Sequence, residues 1–239
     1  MPILDRYDVV LLDLNDTFMF GGDRFGPTHD YHATYRVTSA GRGALRDSEL
    51  RAAIDTCYAH LARLYHDPAH VDDFPGVAET LRGLAPACDL ASHERDWIER
   101  VFATHELGRV PDDYAAALRR LARTHRLGLV SNIWSTKAPW LEELERAGVA
   151  DLFTIIVFSS DSRSMKPSPR LLDTALAAFD APRDRVVFVG DSLVADVAPA
   201  SAAGISSVWI NATGASLPSG APQPTHFVPD LIALLGAST

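Results

Sequence analysis

The sequence predicts an α/β fold, a Rossmann-like doubly wound parallel sheet that carries an inserted all-helical cap domain. Two observations lead to this prediction. Short apolar runs of strand length recur along the chain and, in its second half, alternate with amphipathic stretches of helix length. A long stretch with helical periodicity, residues 19–108, separates the first apolar run from the second. The chain has 239 residues, 47% of them hydrophobic, which is enough to bury the core of such a fold.

The predicted strands are nearly continuous apolar runs. In a sheet that is covered by helices on both faces, strands are buried on both sides and lose the alternation of apolar and polar residues. The runs are "VVLLDL" at 9–14, "LGLVS" at 127–131, "FTIIVF" at 153–158, "RVVFVG" at 185–190 and "SSVWI" at 206–210.

The later strands are joined by single helix-length segments. Strands that alternate with helices imply right-handed crossovers and therefore a parallel sheet. The joining segments are "STKAPWLEELERAGV" at 135–149, "SPRLLDTALAAFD" at 168–180 and "LVADVAPASAAG" at 193–204. A Pro-, Gly- and Ser-rich stretch at 213–224 predicts a surface loop.

The stretch between the first two strands has helical periodicity and no strand-like alternation. We therefore expect residues 1–18 and 109–239 to form the catalytic core and residues 19–108 to form the cap. "VPDDYAAALRRLARTH" at 110–125 returns the chain to the sheet as a helix, with Pro111 in its first turn and two acidic residues suited to the positive helix start. The helical segments of the cap are 44–65, 76–85 and 92–107.

Charge and cysteine content exclude several classes of protein. The chain has 31 acidic and 22 basic residues and no run of basic residues, so we expect no nucleic-acid partner. No apolar stretch approaches the roughly 18 residues needed to cross a bilayer, so no membrane partner is expected. Cys57 and Cys88 are too few for a disulfide framework, and no export signal is evident. We expect two buried thiols and a cytoplasmic location.

Polar residues with catalytic potential stand at the ends of the predicted strands. In an open parallel sheet, ligands bind beyond the carboxyl ends of the strands. Each residue alone has an ordinary explanation as a turn, cap or surface residue, but their occurrence together in this order indicates a site. They are Asp13 and Thr17 after the first strand, Ser131 and Asn132 after the second, Lys166, one of only two lysines, before the helix that precedes the fourth, and Asp191 and Asp196 after the fourth.

These segments resemble the motifs of the haloacid dehalogenase superfamily, most of whose members are magnesium-dependent phosphatases. "DLNDT" resembles the first motif of that family, "LVSN" the second, "KPSP" the third and "VGDSLVADVAPASAAGI" the fourth. The helical C1-type cap of the family, which is inserted just after the first motif, corresponds to residues 19–108. The resemblance covers nearly the whole chain.

The resemblance implies a nucleophile and a magnesium site. Asp13 would attack phosphorus and become an aspartyl phosphate. Mg²⁺ would be held by Asp13, the main-chain carbonyl of Asn15 and Asp191, because this ion prefers hard oxygen ligands. Lys166 would neutralise the charge shared by the phosphate and the nucleophile, and Asp196 would orient Lys166 or support the metal ligands.

The resemblance also implies contacts with a small phosphorylated metabolite. Ser131 and the main-chain amides that follow it, beginning with Asn132, would hold a phosphoryl oxygen. Thr17 is also predicted to contact the substrate, and Arg24, at the start of the cap, either lines the pocket or is solvated. Tyr31 and Tyr35 either line the pocket or pack one face of a helix. Other residues that can border the substrate are His29, Arg36, Trp134 and Lys137.

One residue departs from the family pattern. The phosphatases normally have an aspartate two residues after the nucleophile as the general acid and base, and this chain has Asn15. An amide cannot exchange a proton at neutral pH, and loss of general acid–base help slows a reaction by about 10² to 10⁴. Asp16 is not expected to replace it, because alternation along a strand places residue 16 on the side opposite Asp13 and Asn15.

Three interpretations stay open. The first is a capped magnesium-dependent phosphatase or phosphotransferase, selective for leaving groups that need no proton. The second is a weakly active or inactive protein that binds a ligand or regulates. The third is a metal-independent haloacid dehalogenase. Dehalogenases of the family also lack aspartate at the position of Asn15, but they do not keep an acidic pair such as Asp191 and Asp196, so phosphate chemistry is favoured.

Overall fold

The computed structural model describes residues 3–236 and has a six-stranded parallel sheet with the order β3-β2-β1-β4-β5-β6. The sheet confirms the predicted α/β fold class. Its strands are β1 Val9–Leu12, β2 Arg126–Ser131, β3 Phe153–Phe158, β4 Val186–Gly190, β5 Ser206–Ile210 and β6 His226–Val228.

The helices fall into two groups. Four lie between β1 and Arg109, namely α1 Tyr31–Thr38, α2 Asp47–Tyr65, α3 Val77–Gly83 and α4 Ser92–Glu106. The others flank the sheet, namely α5 Asp112–Leu121, α6 Ala138–Arg146, α7 Pro169–Ala177, α8 Ala198–Ala202, which continues a π-helical turn Leu193–Val197, and α9 Leu231–Leu234.

The sheet is covered on both faces. Side chains of successive strand residues point to opposite faces, so Val10 and Leu12 of β1 pack in the cluster that contains buried residues of α5, α6 and α9. Val9 and Leu11 pack in the cluster that contains buried residues of α7 and α8. All four residues of β1 are completely buried, which explains why the strand is apolar throughout.

The helices α1 to α4 form an insertion with its own apolar core. Tyr31, Leu50, Ile54 and Phe102 are among the buried residues of a cluster that is separate from the two clusters of the sheet. Tyr31 and Tyr35 are fully buried within it, so they pack one helical face, which is the second of the two alternatives that the sequence allowed.

The chain enters and leaves this insertion through two paired segments. Phe20 and Arg109 each donate a main-chain hydrogen bond to the other, at 2.9 and 2.8 Å. Gly22 lies against the main chain of Glu106, where an added Cβ would come within 2.4 Å of the Glu106 carbonyl oxygen. The two connections therefore form one close-packed link between the insertion and the sheet.

Three of these elements, α1, β6 and the four-residue α9, were not predicted from the sequence. The helix α1 has only eight residues, and β6 has three residues, of which Phe227 is exposed. Such short elements carry too few residues to show a period. The first strand also ends at Leu12, before the predicted residue 14. Within residues 3–236, no helix combines the length and the apolarity needed to span a membrane.

Candidate active site

Asp13 lies at the centre of a group of polar side chains at the carboxyl edge of the sheet. The register pairs Leu12 with Leu129 of β2 and with Val189 of β4, so the residues that follow these strands meet beside Asp13. The Asp13 carboxylate is buried, and its Oδ1 accepts hydrogen bonds from Lys166 Nζ at 2.5 Å and Ser131 Oγ at 3.1 Å. Its Oδ2 has only a long contact with Thr17 Oγ1, at 3.5 Å. One carboxylate oxygen is therefore left largely free.

Lys166 is buried between two carboxylates. Its ammonium group donates to Asp13 and, at 2.7 Å, to Asp196, and the residue is only 4% exposed. Burial disfavours the charged form, but the attraction of Asp13 and Asp196 outweighs it and holds the pKa of Lys166 above its ordinary value. Lys166 is therefore a permanent cation next to the predicted nucleophile.

Asn132 holds the main chain of Lys166. Its side-chain amide donates to the Lys166 carbonyl oxygen at 3.0 Å and accepts from the Lys166 main-chain N–H at 2.8 Å. Both ends of the amide are used in this way. The side chain of Asn132 thus positions Lys166, while its main-chain amide follows Ser131 as the sequence indicated.

Three carboxylates form a candidate metal site. Asp13, Asp191 and Asp196 each offer an oxygen within 4.8 Å of the other two. Asp196 is already satisfied, because one of its oxygens accepts from Lys166 and the other from the Ser192 main-chain N–H at 2.8 Å. The Asp191 side chain makes no hydrogen bond or ion pair with the described residues, and burial and the charge of Asp13 raise its pKa to about 7.

The donor set fits a divalent cation. The carboxylates of Asp13 and Asp191 are hard oxygen donors with a surplus of negative charge, and a metal ion would relieve the repulsion between them. The Trp209 indole donates to the Asp191 carbonyl oxygen at 2.8 Å and fixes the loop that carries this carboxylate. Gly190 allows the loop to pass close to Asp196. A Cβ added at Gly190 would come within 2.3 Å of the Asp196 carboxylate.

Asp16 does not lie where the sequence predicted. It adopts a left-handed backbone conformation with φ of 53°, which breaks the alternation expected from a strand. As a result, Asp16 borders the same cavity as Asn15 instead of pointing away from it. This cavity has a volume of about 260 Å³ and is lined by Asp13, Asn15, Asp16, Tyr65, Asn132, Lys166, Asp191, Ser192, Ala195 and Asp196.

A larger cavity of about 540 Å³ adjoins the first one. Asn15, Asp16, Tyr65 and Asn132 line both cavities, so the two are continuous around these residues. Its remaining lining residues come from the insertion, its connections and the loop after β2, namely Met19, Gly21, Gly22, Asp23, Phe25, Tyr58, Ala62, His66, Glu106 and Trp134.

Arg24 lies apart from the group around Asp13. Its guanidinium donates to the main-chain carbonyl oxygens of Gly21 at 2.5 Å, Thr104 at 2.5 Å and Leu107 at 2.9 Å. Arg24 lines neither of the two cavities described above, and these contacts hold the connections of the insertion together. Lys137 is paired with Asp161 at 2.7 Å and is also absent from both linings.

Glu106 is a residue of this region that the sequence did not reveal. It ends α4, and its carboxylate accepts hydrogen bonds from the main-chain N–H groups of Trp134 at 2.6 Å and Ser135 at 3.1 Å. Burial raises the pKa of Glu106 to about 7 despite these bonds. Glu106 thereby joins the insertion to the loop after β2. It belongs to no motif, and its helical neighbours give no signal for such a contact.

Comparisons with known proteins bear on the family and the fold of the chain. The sequence profile described as "Haloacid dehalogenase-like hydrolase" matches residues 90–210, just over half of the chain. Phosphoserine phosphatase of Thermus thermophilus is 35% identical over 100 residues, and a pyrimidine 5'-nucleotidase of Escherichia coli is 34% identical over 96 residues. These matches cover 41% and 40% of this chain, and only 40% and 42% of the two relatives.

Solved structures share the fold over nearly the whole chain. A 2-haloacid dehalogenase from Pseudomonas syringae has a TM-score of 0.65 at 22% identity and covers 96% of both chains. The HAD-hydrolase YfnB from Bacillus subtilis, bound to magnesium, has a TM-score of 0.61 at 18% identity and covers 96% of this chain and 97% of its own. At these identities the likeness concerns the fold alone.

Proposed function

The chain belongs to the haloacid dehalogenase-like hydrolase family, and from this we propose that it is a magnesium-dependent phosphatase or phosphotransferase that acts on a small phosphorylated metabolite. Asp13 is the nucleophile of this proposal and carries an aspartyl phosphate between its two steps. The observation that carries the proposal is the position of the Asp13 carboxylate, which is held by Lys166 and Ser131 and has one oxygen free.

In the first step, the free oxygen of Asp13 forms a bond to phosphorus while the bond from phosphorus to the leaving oxygen breaks. Phosphoryl transfer depends on positioning and on positive charge around the phosphoryl oxygens. Lys166 supplies a fixed charge within the site, and the Ser131 hydroxyl can donate to a phosphoryl oxygen. Asn132 and Asp196 hold Lys166 in place from its main chain and from its ammonium group.

The carboxylates of Asp13 and Asp191, with the main-chain carbonyl of Asn15, would hold Mg²⁺. When bound, the ion supplies positive charge between the carboxylates and the substrate phosphate, which would otherwise repel each other. Asp196 would support this site through Lys166, because both of its oxygens already accept hydrogen bonds.

Asn15 determines which leaving groups this site can use. It lines the cavity beside Asp13 but cannot give a proton to the leaving oxygen or take one from water. Alkyl phosphates, whose alkoxide leaving group needs a proton, are therefore poor substrates. The leaving groups of aryl and acyl phosphates depart without a proton. The second step, loss of the phosphoryl group from Asp13, is slow with water and faster with a stronger acceptor.

Dehalogenation is the second candidate, because Asn15 replaces the acid–base aspartate and dehalogenases are among the structural neighbours. The acidic group of Asp13, Asp191 and Asp196 favours the phosphatase, since a metal-free halide site has no use for uncompensated carboxylates. A weakly active binding or regulatory protein is the third candidate, and Asn15 alone supports it.

Turnover of aryl, acyl and alkyl phosphates, measured with and without Mg²⁺, tests these candidates. We expect aryl and acyl phosphates to be turned over, Asp13→Ala to abolish that activity, and Asn15→Asp to raise alkyl phosphatase activity by about 10² or more. Asp173→Ala, an exposed change on α7, is the matched control.

Full activity in Asp13→Ala would contradict the assignment of the nucleophile. Activity that survives EDTA and is confined to 2-haloacids would establish dehalogenation instead. A protein that is silent on every phosphate but binds a metabolite tightly would support the regulatory candidate.

A further inference from the structure

The larger cavity is lined by aromatic rings on two sides. Phe25, Tyr58 and Tyr65 come from the insertion and Trp134 from the loop after β2. The ring centroids are 4.5 Å apart for Phe25 and Tyr58, 5.7 Å for Tyr58 and Trp134, and 5.5 Å for Tyr65 and Trp134. The rings therefore form a continuous aromatic wall that spans the insertion and the sheet domain.

The charged groups of the same cavity are acidic. Asp16, Asp23 and Glu106 line it, and its lining contains no lysine or arginine among the described residues. The Asp23 carboxylate forms no ion pair there, and its side-chain contact is a long hydrogen bond from the Tyr58 hydroxyl at 3.4 Å. His66, at the end of α2, is exposed. The cavity thus combines aromatic faces with negative charge that no fixed cation balances.

The larger cavity lies where the leaving group of a bound substrate would extend. It shares Asn15, Asp16, Tyr65 and Asn132 with the smaller cavity around Asp13. A phosphate held beside Asp13 and Lys166 would extend its ester group past these shared residues. The volume of about 540 Å³ is within the usual range for small-molecule sites.

Building on the phosphatase function proposed above, we propose that the substrate is an aryl or acyl phosphate whose leaving group carries an organic cation, such as an ammonium group, bound between Tyr58, Trp134 and Asp23. Aromatic faces attract cations, and the attraction increases when carboxylates stand nearby and water is excluded. A second phosphate or a carboxylate on the same leaving group would face Asp23 and Glu106 without a counter-charge. Bisphosphates and phosphorylated carboxylic acids are therefore disfavoured.

Binding of three non-hydrolysable phosphonates to the wild-type protein with Mg²⁺ tests this inference. The compounds are 3-(trimethylammonio)propylphosphonate, its neutral isostere 4,4-dimethylpentylphosphonate and the anionic 3-carboxypropylphosphonate. We expect calorimetry to give about tenfold tighter binding for the ammonium compound than for the neutral isostere, and the weakest binding for the carboxylate.

Two variants test which residues cause the preference for the ammonium compound. Asp23→Asn and Tyr58→Leu should each reduce the preference for the ammonium compound several-fold and leave binding of the neutral isostere nearly unchanged. Asp96→Asn makes the same charge change at an exposed position of α4 that does not line the cavity, and it should keep the preference.

The possible outcomes distinguish a failure of this inference from a failure of the phosphatase function on which it rests. Equal binding of the ammonium and neutral compounds would overturn the inference while supporting a phosphate site beside Asp13. A preference that is unchanged in both Asp23→Asn and Tyr58→Leu would also overturn it. Failure of all three phosphonates to bind would contradict the phosphate site itself, and the inference with it.

Discussion

The two lysines of the chain occupy opposite environments, which gives a direct test of the buried ion pairs. Lys166 is buried between Asp13 and Asp196, whereas Lys137 pairs with Asp161 at the surface. Lys166→Met leaves two buried carboxylates without a cation to balance their charge and should lower the free energy of unfolding by about 3–5 kcal/mol. Lys137→Met should lower it by about 0–1 kcal/mol. Urea unfolding measures both values.

Lys166→Met should also abolish phosphatase turnover, and Lys137→Met should not. Equal losses of stability in the two variants would mean that the carboxylates around Lys166 adapt by taking up protons.

Asp191 should make the metal-free protein less stable as the pH rises. Burial, and then the charges of Asp13 and Asp196, raise its folded-state pKa to about 7 from the ordinary value of 3.8. Between these values the folded protein keeps a proton that the unfolded chain has released, so stability falls as the pH rises from about 4 to about 7. Asp191→Asn should flatten this fall, measured by urea unfolding in EDTA.

The control for this pH dependence is Asp173→Asn, which makes the same substitution at an exposed position of α7. It should follow the wild-type curve. Wild-type and Asp191→Asn curves that run parallel from about pH 4 to about pH 7 would show that Asp191 is not the group responsible.

Magnesium should stabilise the folded protein at pH 8 through the same carboxylate. A ligand that binds only the folded state at a hundredfold excess over its Kd raises the free energy of unfolding by about 2.7 kcal/mol. We expect a gain of this order for the wild type and none for Asp191→Asn. The measurement is thermal or urea unfolding with and without Mg²⁺, so it does not depend on finding a substrate. An equal gain in both proteins would place the ion elsewhere.

Among single residues, the sequence predicted most of the side chains that meet around Asp13, but it wrongly included Arg24 and did not predict every orientation. Asp13, Ser131 and Asp191 were predictable because parallel strands bring their carboxyl ends to one edge. Asp16 was not, because a single left-handed residue reversed the direction that strand alternation implies. Glu106 was missed because its partners lie almost thirty residues away in the chain and belong to another element.

Among the elements, the link between the insertion and the sheet depends on Gly22. An added Cβ would come within 2.4 Å of the Glu106 main-chain oxygen, and a main-chain atom cannot move aside without shifting α4. Gly22→Ala should therefore lower the free energy of unfolding by about 1–3 kcal/mol. Gly83→Ala is the matched control, because an added Cβ in α3 would meet no atom within 4 Å. Urea unfolding should show Gly83→Ala to be neutral or stabilising.

A Gly22→Ala protein as stable as Gly83→Ala would mean that the connection between the insertion and the sheet is loosely packed. In that case Glu106 and Arg24 would not hold a fixed link, and their hydrogen bonds to main-chain groups would be incidental.

The long helices and the buried apolar strands were predictable from the sequence, whereas α1, β6 and α9 were not. The helices α2 and α4 have 19 and 15 residues, enough turns for an apolar face to show. By contrast, β6 pairs with β5 at the edge of the sheet over three residues, where sequence carries little pattern. Pairing with an existing strand, rather than local propensity, determines such an element.

For the whole molecule, function depends on how two separate cores meet. One core covers the sheet and the other holds α1 to α4 together, and the larger cavity lies where residues of both meet. The sequence predicts a boundary between them from periodicity, but it did not predict which insertion residues face the site. Tyr58 and Tyr65 both lie on α2, and only tertiary packing determines that they line the cavity while Tyr31 and Tyr35 are buried.

The pairing of Phe20 with Arg109 also bears on how proteins of this kind can diversify. The chain enters and leaves the insertion through Phe20 and Arg109, which lie side by side. The length of the insertion is therefore independent of the distance between the Asp13 and Ser131 side chains. Mutation, recombination or loss of whole helices in the insertion can therefore change which substrate the protein selects without moving the reacting groups around Asp13.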